Sequence, residues 1–301
     1  VSVAHNPIPA SGTTYDLANN IDPSLFCCPD NENANREITL PLSPTGSRTF
    51  DVTTISDIHL ESFDSTKTTI GDSFIENFTN LTSLQLLNMD KVESIGNLAI
   101  SNNQFLTDVD ISGLTNVTSL GALFMSSCVM LQTLDLTPLA KVKNIGNAFL
   151  AYCTNLTYTD LSPMVSVETV GNNFMSFCSS LINVDLTPLH NITSVGNGFF
   201  QASGLLSIDF GPLTNVVEIG DNFLSGCRWL TTLDLSPLTN VETIGDYFLG
   251  PNTIMNFDGC INLTSIDLSG FTKLRTIGDS FLGATGTIAG TGAQMHYEID
   301  H

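Results

Sequence analysis

The stretch LTTLDLSPLTNVETIGDYFL, from Leu230 to Leu249, decides the fold because variants of it recur along most of the chain. Successive variants are about 25 residues apart, with one deletion and one longer insertion. Self-similarity at such a period is typical of repeat architectures and not of an ordinary globular domain. The blocks begin at Leu81, Leu106, Leu131, Leu156, Leu181, Leu205, Leu230 and Leu263.

Each block opens with a Leu-x-x-Leu-x-Leu pattern, as at Leu131, Leu134 and Leu136. The alternation of apolar positions predicts a short strand whose leucines point inward. A proline or glycine stands two residues after the last leucine, and either residue ends a strand. These residues are Pro138, Pro163, Pro188, Pro212 and Pro237, with Gly113 and Gly270 in two other blocks.

Two further columns occupy the second half of each block. A glycine follows an apolar pair such as Val241 and Ile244, and we expect it to adopt a positive φ at a backbone bend. Phenylalanine stands three residues later, except where Ala99 replaces it, so we expect the rings to stack along the chain. The Gly column is Gly71, Gly96, Gly121, Gly146, Gly171, Gly196, Gly220, Gly245 and Gly278. The Phe column is Phe74, Phe124, Phe149, Phe174, Phe199, Phe223, Phe248 and Phe281.

No single block can fold alone, because its few apolar side chains do not offset the entropy of ordering about 25 residues. Stacked blocks share their faces and their backbone hydrogen bonds. The pattern Leu-x-x-Leu-x-Leu-x-x-x-x-x-Val-x-x-Ile-Gly-x-x-Phe-x-x-x-Cys, approximated over residues 131–153 and 156–178, resembles the BspA-like class of leucine-rich repeats. The resemblance covers about residues 55–285.

The resemblance implies a β-rich α/β fold. We expect a right-handed leucine-rich-repeat solenoid with a parallel sheet on one face and about nine coils of 25 residues. Proteins similar to this are cell-surface or secreted, lack catalytic activity, and bind other proteins or mediate aggregation. The chain begins Val1-Ser2-Val3 without a methionine, which suggests a processed or trimmed N-terminus and favours an extracellular or cell-surface location.

We predict three regions in the chain. They are an N-terminal cap or irregular segment over 1–53, the solenoid over 54–283, and a C-terminal tail or cap over 284–301. An insertion near 250–257 should leave the solenoid as a loop, which either contacts a partner or packs on its own coil. The apolar residues of this candidate contact loop are Ile254, Met255 and Phe257.

An aspartate stands between the last two inward positions of every block except the one that begins at Leu81, and it should therefore face outward. Carboxylates stacked at about 4.8 Å repel one another by about 0.9 kcal/mol per neighbouring pair in water. Such a ligand-binding face would favour Ca²⁺ or a basic partner. In the alternative reading, each aspartate caps the turn that follows it. This Asp column is Asp110, Asp135, Asp160, Asp185, Asp209, Asp234 and Asp267.

Five of the seven cysteines form a column of their own. A ladder of parallel thiols cannot converge on a zinc ion, so we expect buried free thiols and no metal. Cys27 and Cys28 are the better candidates for a disulfide. The Cys column is Cys128, Cys153, Cys178, Cys227 and Cys260.

The charge balance narrows the classes of partner. Asp and Glu outnumber Lys and Arg by 30 to 9, for a formal net charge of -21, which disfavours nucleic acid and anionic membranes. The sequence contains no run of about 18 apolar residues, so we expect no membrane insertion. No recurring histidine beside a nucleophile and no phosphate-binding glycine motif is present, so we expect no enzyme and no cofactor apart from Ca²⁺ on the Asp column.

Two functions fit these features. The first is a non-catalytic extracellular scaffold for protein–protein contacts in surface recognition or adhesion. The alternative is a structural subunit that self-assembles into an extracellular fibre or coat through its solenoid ends and C-terminal tail. The expected partner is therefore another protein or a second copy of the chain, as a homo-oligomer or filament.

Overall fold

The computed structural model describes residues 13–17, 37–41, 47–51, 55–60, 68–251 and 259–282. Its backbone forms a solenoid of coils about 25 residues apart, joined by parallel strand pairs, which confirms the predicted fold class. The longer strands are β1 (Thr13–Leu17), β2 (Glu37–Pro41), β3 (Ser47–Asp51), β4 (Ile55–Leu60), β6 (Ser83–Leu86), β8 (Asp108–Asp110), β14 (Thr232–Asp234) and β16 (Ser265–Asp267).

The most regular ladder consists of nine two-residue strands within the described ranges. They pair in parallel in two runs, the first of five strands and the second of four. In the first eight of these strands the second residue is buried, and it lies directly before the glycine of its coil. The strands are β5 (Thr69–Ile70), β7 (Ser94–Ile95), β9 (Ser119–Leu120), β10 (Asn144–Ile145), β11 (Thr169–Val170), β12 (Ser194–Val195), β13 (Glu218–Ile219), β15 (Thr243–Ile244) and β17 (Thr276–Ile277).

The strand predicted at Leu-x-x-Leu-x-Leu is present in only part of the solenoid. It occurs as the parallel runs β1-β4-β6-β8 and β14-β16. In the intervening coils this segment is not a regular strand, because few backbone hydrogen bonds join it to the neighbouring coils. One of them runs from Thr157 N to Gln132 O at 3.1 Å. Its leucines are nevertheless buried, with Leu134 at 6% and Leu136 at 1% exposure, as predicted.

The prediction that the Gly column adopts positive φ is wrong. Gly198 and Gly226 are the positive-φ glycines of the described chain, and neither belongs to the column. Glycine is needed for close approach between coils. A Cβ at Gly171 would lie 2.5 Å from Asn147 Oδ1 and 2.7 Å from the carbonyl carbon of Gly146 in the preceding coil.

The core is a column of aromatic rings, as predicted. From Phe124 to Phe281, successive rings of the Phe column have centroids 5.0–6.1 Å apart and planes within 17° of parallel. The rings from Phe124 to Phe248 are fully buried, whereas Phe281 in the last described coil is only partly buried. Each ring therefore completes the core of the coil next to it.

Helical structure is sparse among the described residues. Three of the predicted proline stops lie in 3-10 helices of three residues, Thr137–Leu139, Thr187–Leu189 and Gly211–Leu213. No helix in the described ranges has the length and apolar character needed to cross a bilayer. Within the predicted N-terminal region, β1 continues the parallel sheet by pairing with β4, and β2 pairs with β3 in antiparallel fashion. Residues 284–301 lie outside the described ranges, so the region boundaries stay predictions.

Candidate binding face

The Asp column lies on the outside of the solenoid and fixes its own geometry. In each coil Asp Oδ1 accepts a hydrogen bond from the backbone N–H two residues later, at 2.8–2.9 Å. This Asx turn positions the chain for the Ser/Thr-Pro or Gly bend that follows. The turn-capping alternative for this column is confirmed, and the second oxygen of each carboxylate is left for solvent or a partner.

Three carboxylates of this column have a lowered pKa. A hydroxyl two residues later lowers the pKa of each of them below the ordinary value, and the backbone N–H of the turn adds to the effect. These pairs are Asp135 with Thr137, Asp185 with Thr187, and Asp267 with Ser269. The ion pairs found between described residues, Lys91–Asp90, Lys143–Glu168 and Arg275–Glu242, lie outside the column. None of these ion pairs between described residues therefore compensates the negative charge of the column.

Exposed apolar side chains are concentrated beside this column. Eight of the ten large hydrophobic residues that are exposed lie between four residues before and two residues after the first leucine of a block. We call these eight the apolar strip. They are Phe105, Met130, Tyr152, Tyr158, Ile182, Leu206, Trp229 and Ile261. Most of the exposed large hydrophobic residues of the described coils therefore lie around the start of the leucine segments.

Two contacts between neighbouring coils involve residues of the strip. Tyr152 stacks on the partly exposed Phe177 of the next coil, with centroids 4.4 Å apart and planes 4° from parallel. The backbone N–H of Leu206 donates to the carbonyl of Ile182 at 2.9 Å, which sets these two exposed side chains side by side.

In the coil that begins at Leu156, a strip residue and a column residue lie on the same side of the chain. Tyr158 is half exposed, Thr159 is buried, and Asp160 is exposed, which is the alternation of an extended chain. Tyr158 and Asp160 therefore point to the same side.

The Cys column is buried and holds free thiols, as predicted. Each thiol donates to a backbone carbonyl of the preceding coil at 3.1–3.3 Å. Burial raises the pKa of every one of them, to about 12 for Cys153 and about 11 for Cys227. In a coil without a cysteine, the amide of Asn103 takes over this role by donating to the carbonyl of Ile75, whereas the hydroxyl of Ser203 donates to the carbonyl of Phe200 in its own coil. These hydrogen bonds link neighbouring coils, and we expect the buried thiols to be poor nucleophiles.

The Asp column is the predicted site for Ca²⁺. Within the described ranges no group of three His, Cys, Asp or Glu side chains is placed to hold a metal ion. Each column carboxylate also commits one oxygen to its own turn. Ca²⁺ on the column stays a prediction. The other candidate residues, Ile254, Met255 and Phe257 of the loop and Cys27 and Cys28, lie outside the described ranges.

A second polar column was not foreseen from the sequence. Its side chains follow the Gly column directly, and seven of them accept, through Oδ1, the backbone N–H of the next coil at 2.7–2.9 Å. The signal was available, because Asn or Asp follows the glycine in every block except at Ala122. This Asx column is Asp72, Asn97, Asn147, Asn172, Asn197, Asp221, Asp246 and Asp279. It stabilises the stacking of coils and leaves the leucine-segment face as the candidate for recognition.

Comparison with known proteins agrees with this architecture. A family model for the BspA type leucine rich repeat region matches in six copies, over residues 20–157, 68–188 and 143–278. A leucine-rich repeat protein from Bacteroides ovatus is 16% identical with a TM-score of 0.29, over 89% of this chain and 84% of that one. A T. pallidum leucine-rich repeat protein is 15% identical with a TM-score of 0.33, over 77% and 78%.

A functional domain of InlJ from Listeria monocytogenes, which includes a cysteine ladder, is 17% identical with a TM-score of 0.26. That match covers 75% of this chain and 64% of the InlJ domain. No curated protein matches the chain.

Proposed function

The chain belongs to the BspA-type leucine-rich repeat family, and from that premise we propose that it is an extracellular, non-catalytic scaffold that recognises a basic protein through its Asp column. Repeat proteins of this family provide surfaces for protein–protein contact and are not enzymes. Surface recognition or adhesion is the use we assign to this member, and a cell-surface or secreted location follows from that use.

One observation carries the proposal. Along the leucine-segment face, each coil from the one beginning at Leu106 onward presents a carboxylate with one oxygen held in its turn. None of the ion pairs found between described residues neutralises these carboxylates. Because their positions are fixed before binding, a basic partner meets a preorganised row of charges and does not have to order them. Their mutual repulsion, about 0.9 kcal/mol per pair at about 4.8 Å in water, is relieved by such a partner.

The test replaces charge without changing the turn. In Asp185→Asn with Asp209→Asn, the amide oxygen can still accept the turn hydrogen bond, but both charges are lost. The matched control is Glu93→Gln with Glu218→Gln, which removes two exposed charges from another face. The probe is poly-L-lysine of about 20 residues, titrated at several salt concentrations.

We expect the Asp double variant to weaken binding about fivefold and to lower its salt dependence, because each exposed ion pair contributes up to about 1 kcal/mol. The control should stay within about twofold of the wild type. Equal losses in both variants would show that poly-L-lysine responds to the overall charge of the protein and would overturn the role of the Asp column.

A second function, self-assembly into a fibre or coat, is favoured by the last described coil. Leu268, Leu274 and Phe281 are only partly buried there, whereas the corresponding residues of inner coils are fully buried. We propose that a second copy or another part of the chain contacts this end. Sedimentation velocity of the full chain should then show larger species as concentration rises, and a monomer at high concentration would contradict assembly.

A further inference from the structure

We propose that the leucine-segment face binds a basic amphipathic α-helix of the partner, lying along the solenoid, with the apolar strip as its anchor. This inference rests on the proposed function and adds to it the kind of structure that is recognised. The Asp column supplies the charge contacts. The strip, above all Tyr158, Ile182, Leu206 and Trp229, supplies the apolar contacts.

The side chains of the strip are exposed to solvent, and we infer that a partner covers them. Trp229 is 60% exposed, Leu206 52%, Tyr158 50% and Ile182 46%. Exposed apolar residues scattered singly need no explanation, but these occur within two residues of the first leucine in four successive blocks. Tryptophan and tyrosine are also the residues that most often dominate binding energy at protein interfaces. The strip therefore has the composition of a binding hot spot.

The negative charge of this face indicates which kind of partner binds to it. A second copy of the chain, placed face to face, would set one Asp column against another, and each chain carries a net charge of -21. A basic partner meets no such repulsion and gains the contacts with the carboxylates. The occupant is therefore a basic polypeptide and not this chain itself.

The spacing of the coils selects the conformation of that polypeptide. Carboxylates of the Asp column recur once per coil, at about the 4.8 Å spacing of paired strands. An α-helix presents one residue per turn on a given side, every 5.4 Å, whereas a strand presents one about every 6.7 Å. The mismatch per coil is about 0.6 Å for a helix and about 1.9 Å for a strand, and flexible lysine side chains absorb only the smaller one over several coils.

A helix can also offer both kinds of contact to this face. Adjacent rows on a helix surface are one residue wide, so a basic row and an apolar row can run side by side along its length. From Asp110 to Asp234 the column spans five coil intervals, or about 24 Å, which corresponds to a helix of about 16 residues. Binding in this mode buries the strip and brings one basic side chain to each carboxylate.

The chain contains its own reporter for this test, because Trp229 is its one tryptophan and lies in the strip. The probe is an 18-residue tryptophan-free peptide with lysine once per turn, leucine on the adjacent row, and alanine elsewhere. A second peptide has the same composition with lysine and leucine rearranged to alternate. We expect the helical pattern to shift Trp229 emission to the blue and to bind at least tenfold more tightly than the alternating pattern.

Protein variants separate the two contributions. Ile182→Ser with Leu206→Ser should weaken the helical peptide at least tenfold, while Val165→Ser, which changes an exposed apolar residue outside the strip, should leave binding unchanged. Asp185→Asn with Asp209→Asn should weaken it about fivefold and flatten the salt dependence. Far-UV circular dichroism of each variant checks that the fold is kept.

Several results would overturn the inference. If the serine variant binds as the wild type does and only the asparagine variant weakens, the strip is no anchor, although recognition of a basic partner survives. If neither variant weakens binding, the proposed function fails as well. Equal affinity for both peptides rules out the helix. A blue shift on raising the protein concentration alone would assign the strip to a second copy, and one caused by chitohexaose would assign it to a glycan.

Discussion

Replacing Phe174 by alanine should destabilise the solenoid far more than the same change at its end. Phe174 is 1% exposed, stacks on Phe149 at 5.5 Å and on Phe199 at 5.4 Å, and meets Phe200 edge-on at 5.7 Å. Truncating a buried phenylalanine costs about 3–5 kcal/mol, and the lost ring pairs bring the total to about 4–6 kcal/mol. Whole domains are commonly stable by only about 5–15 kcal/mol.

Phe281→Ala is the matched control. Phe281 is partly buried and, among the ring pairs of the described chain, it stacks on Phe248. We expect its removal to cost about 1–2 kcal/mol, because part of its surface is already in water. The free energy of unfolding should be measured in urea by far-UV circular dichroism and by Trp229 fluorescence, since a repeat protein can unfold in parts. Equal losses for the two variants would refute the idea that each ring completes the core of its neighbours.

Three further predictions concern the columns. Gly171→Ala should lower the free energy of unfolding by about 1–3 kcal/mol, because its Cβ would meet Asn147 Oδ1 at 2.5 Å; an unchanged thermal midpoint would contradict this. The thiols of the Cys column should escape labelling by a thiol reagent at pH 8 until urea is added, because burial raises their pKa, and mass spectrometry of labelled peptides checks this. The lowered pKa of Asp135 and Asp185 gives stability that is present above about pH 4 and is lost as pH falls through their folded pKa. The double change to asparagine should therefore flatten acid unfolding below about pH 4.

The sequence was sufficient for the solenoid and its core, because apolar periodicity records which side chains are inside. Leu134 and Leu136 are buried, and Phe174 and Phe199 stack, as their columns predict. The strand ladder was harder to place. The leucine segment looks like the better strand, yet the regular ladder runs through dipeptides such as Asn144–Ile145, which pair with coils on both sides. A two-residue strand is too short for an alternation pattern to reveal.

Backbone conformation after the Gly column could not be predicted from residue preferences. Leu123, Met125 and Ser127 have φ of 63°, 51° and 60°, a region that such residues rarely adopt. Hydrogen bonds between coils impose it: Leu123 N donates to the next coil at 2.6 Å, Met125 N to the preceding coil at 3.0 Å, and Ser127 N to the next coil at 2.8 Å. The alternating directions satisfy the backbone on both sides of each coil.

The candidate binding face was predicted only in part. The outward direction of the Asp column followed from its place between two inward leucines. The apolar strip gave no such signal, because Tyr158, Ile182 and Trp229 stand at different positions of their blocks. Which of them become neighbours depends on how the coils stack, and a single repeat cannot show that.

The central claim is that this protein meets its partner through one face, formed by the Asp column and the apolar strip. Carbodiimide labelling of carboxylates, read residue by residue with and without the helical lysine–leucine peptide, tests this most directly. We predict that labelling of Asp160, Asp185 and Asp209 falls at least threefold, while Glu93 and Glu218 keep their rates. Equal protection of all five residues, or protection of the two glutamates alone, would contradict the claim.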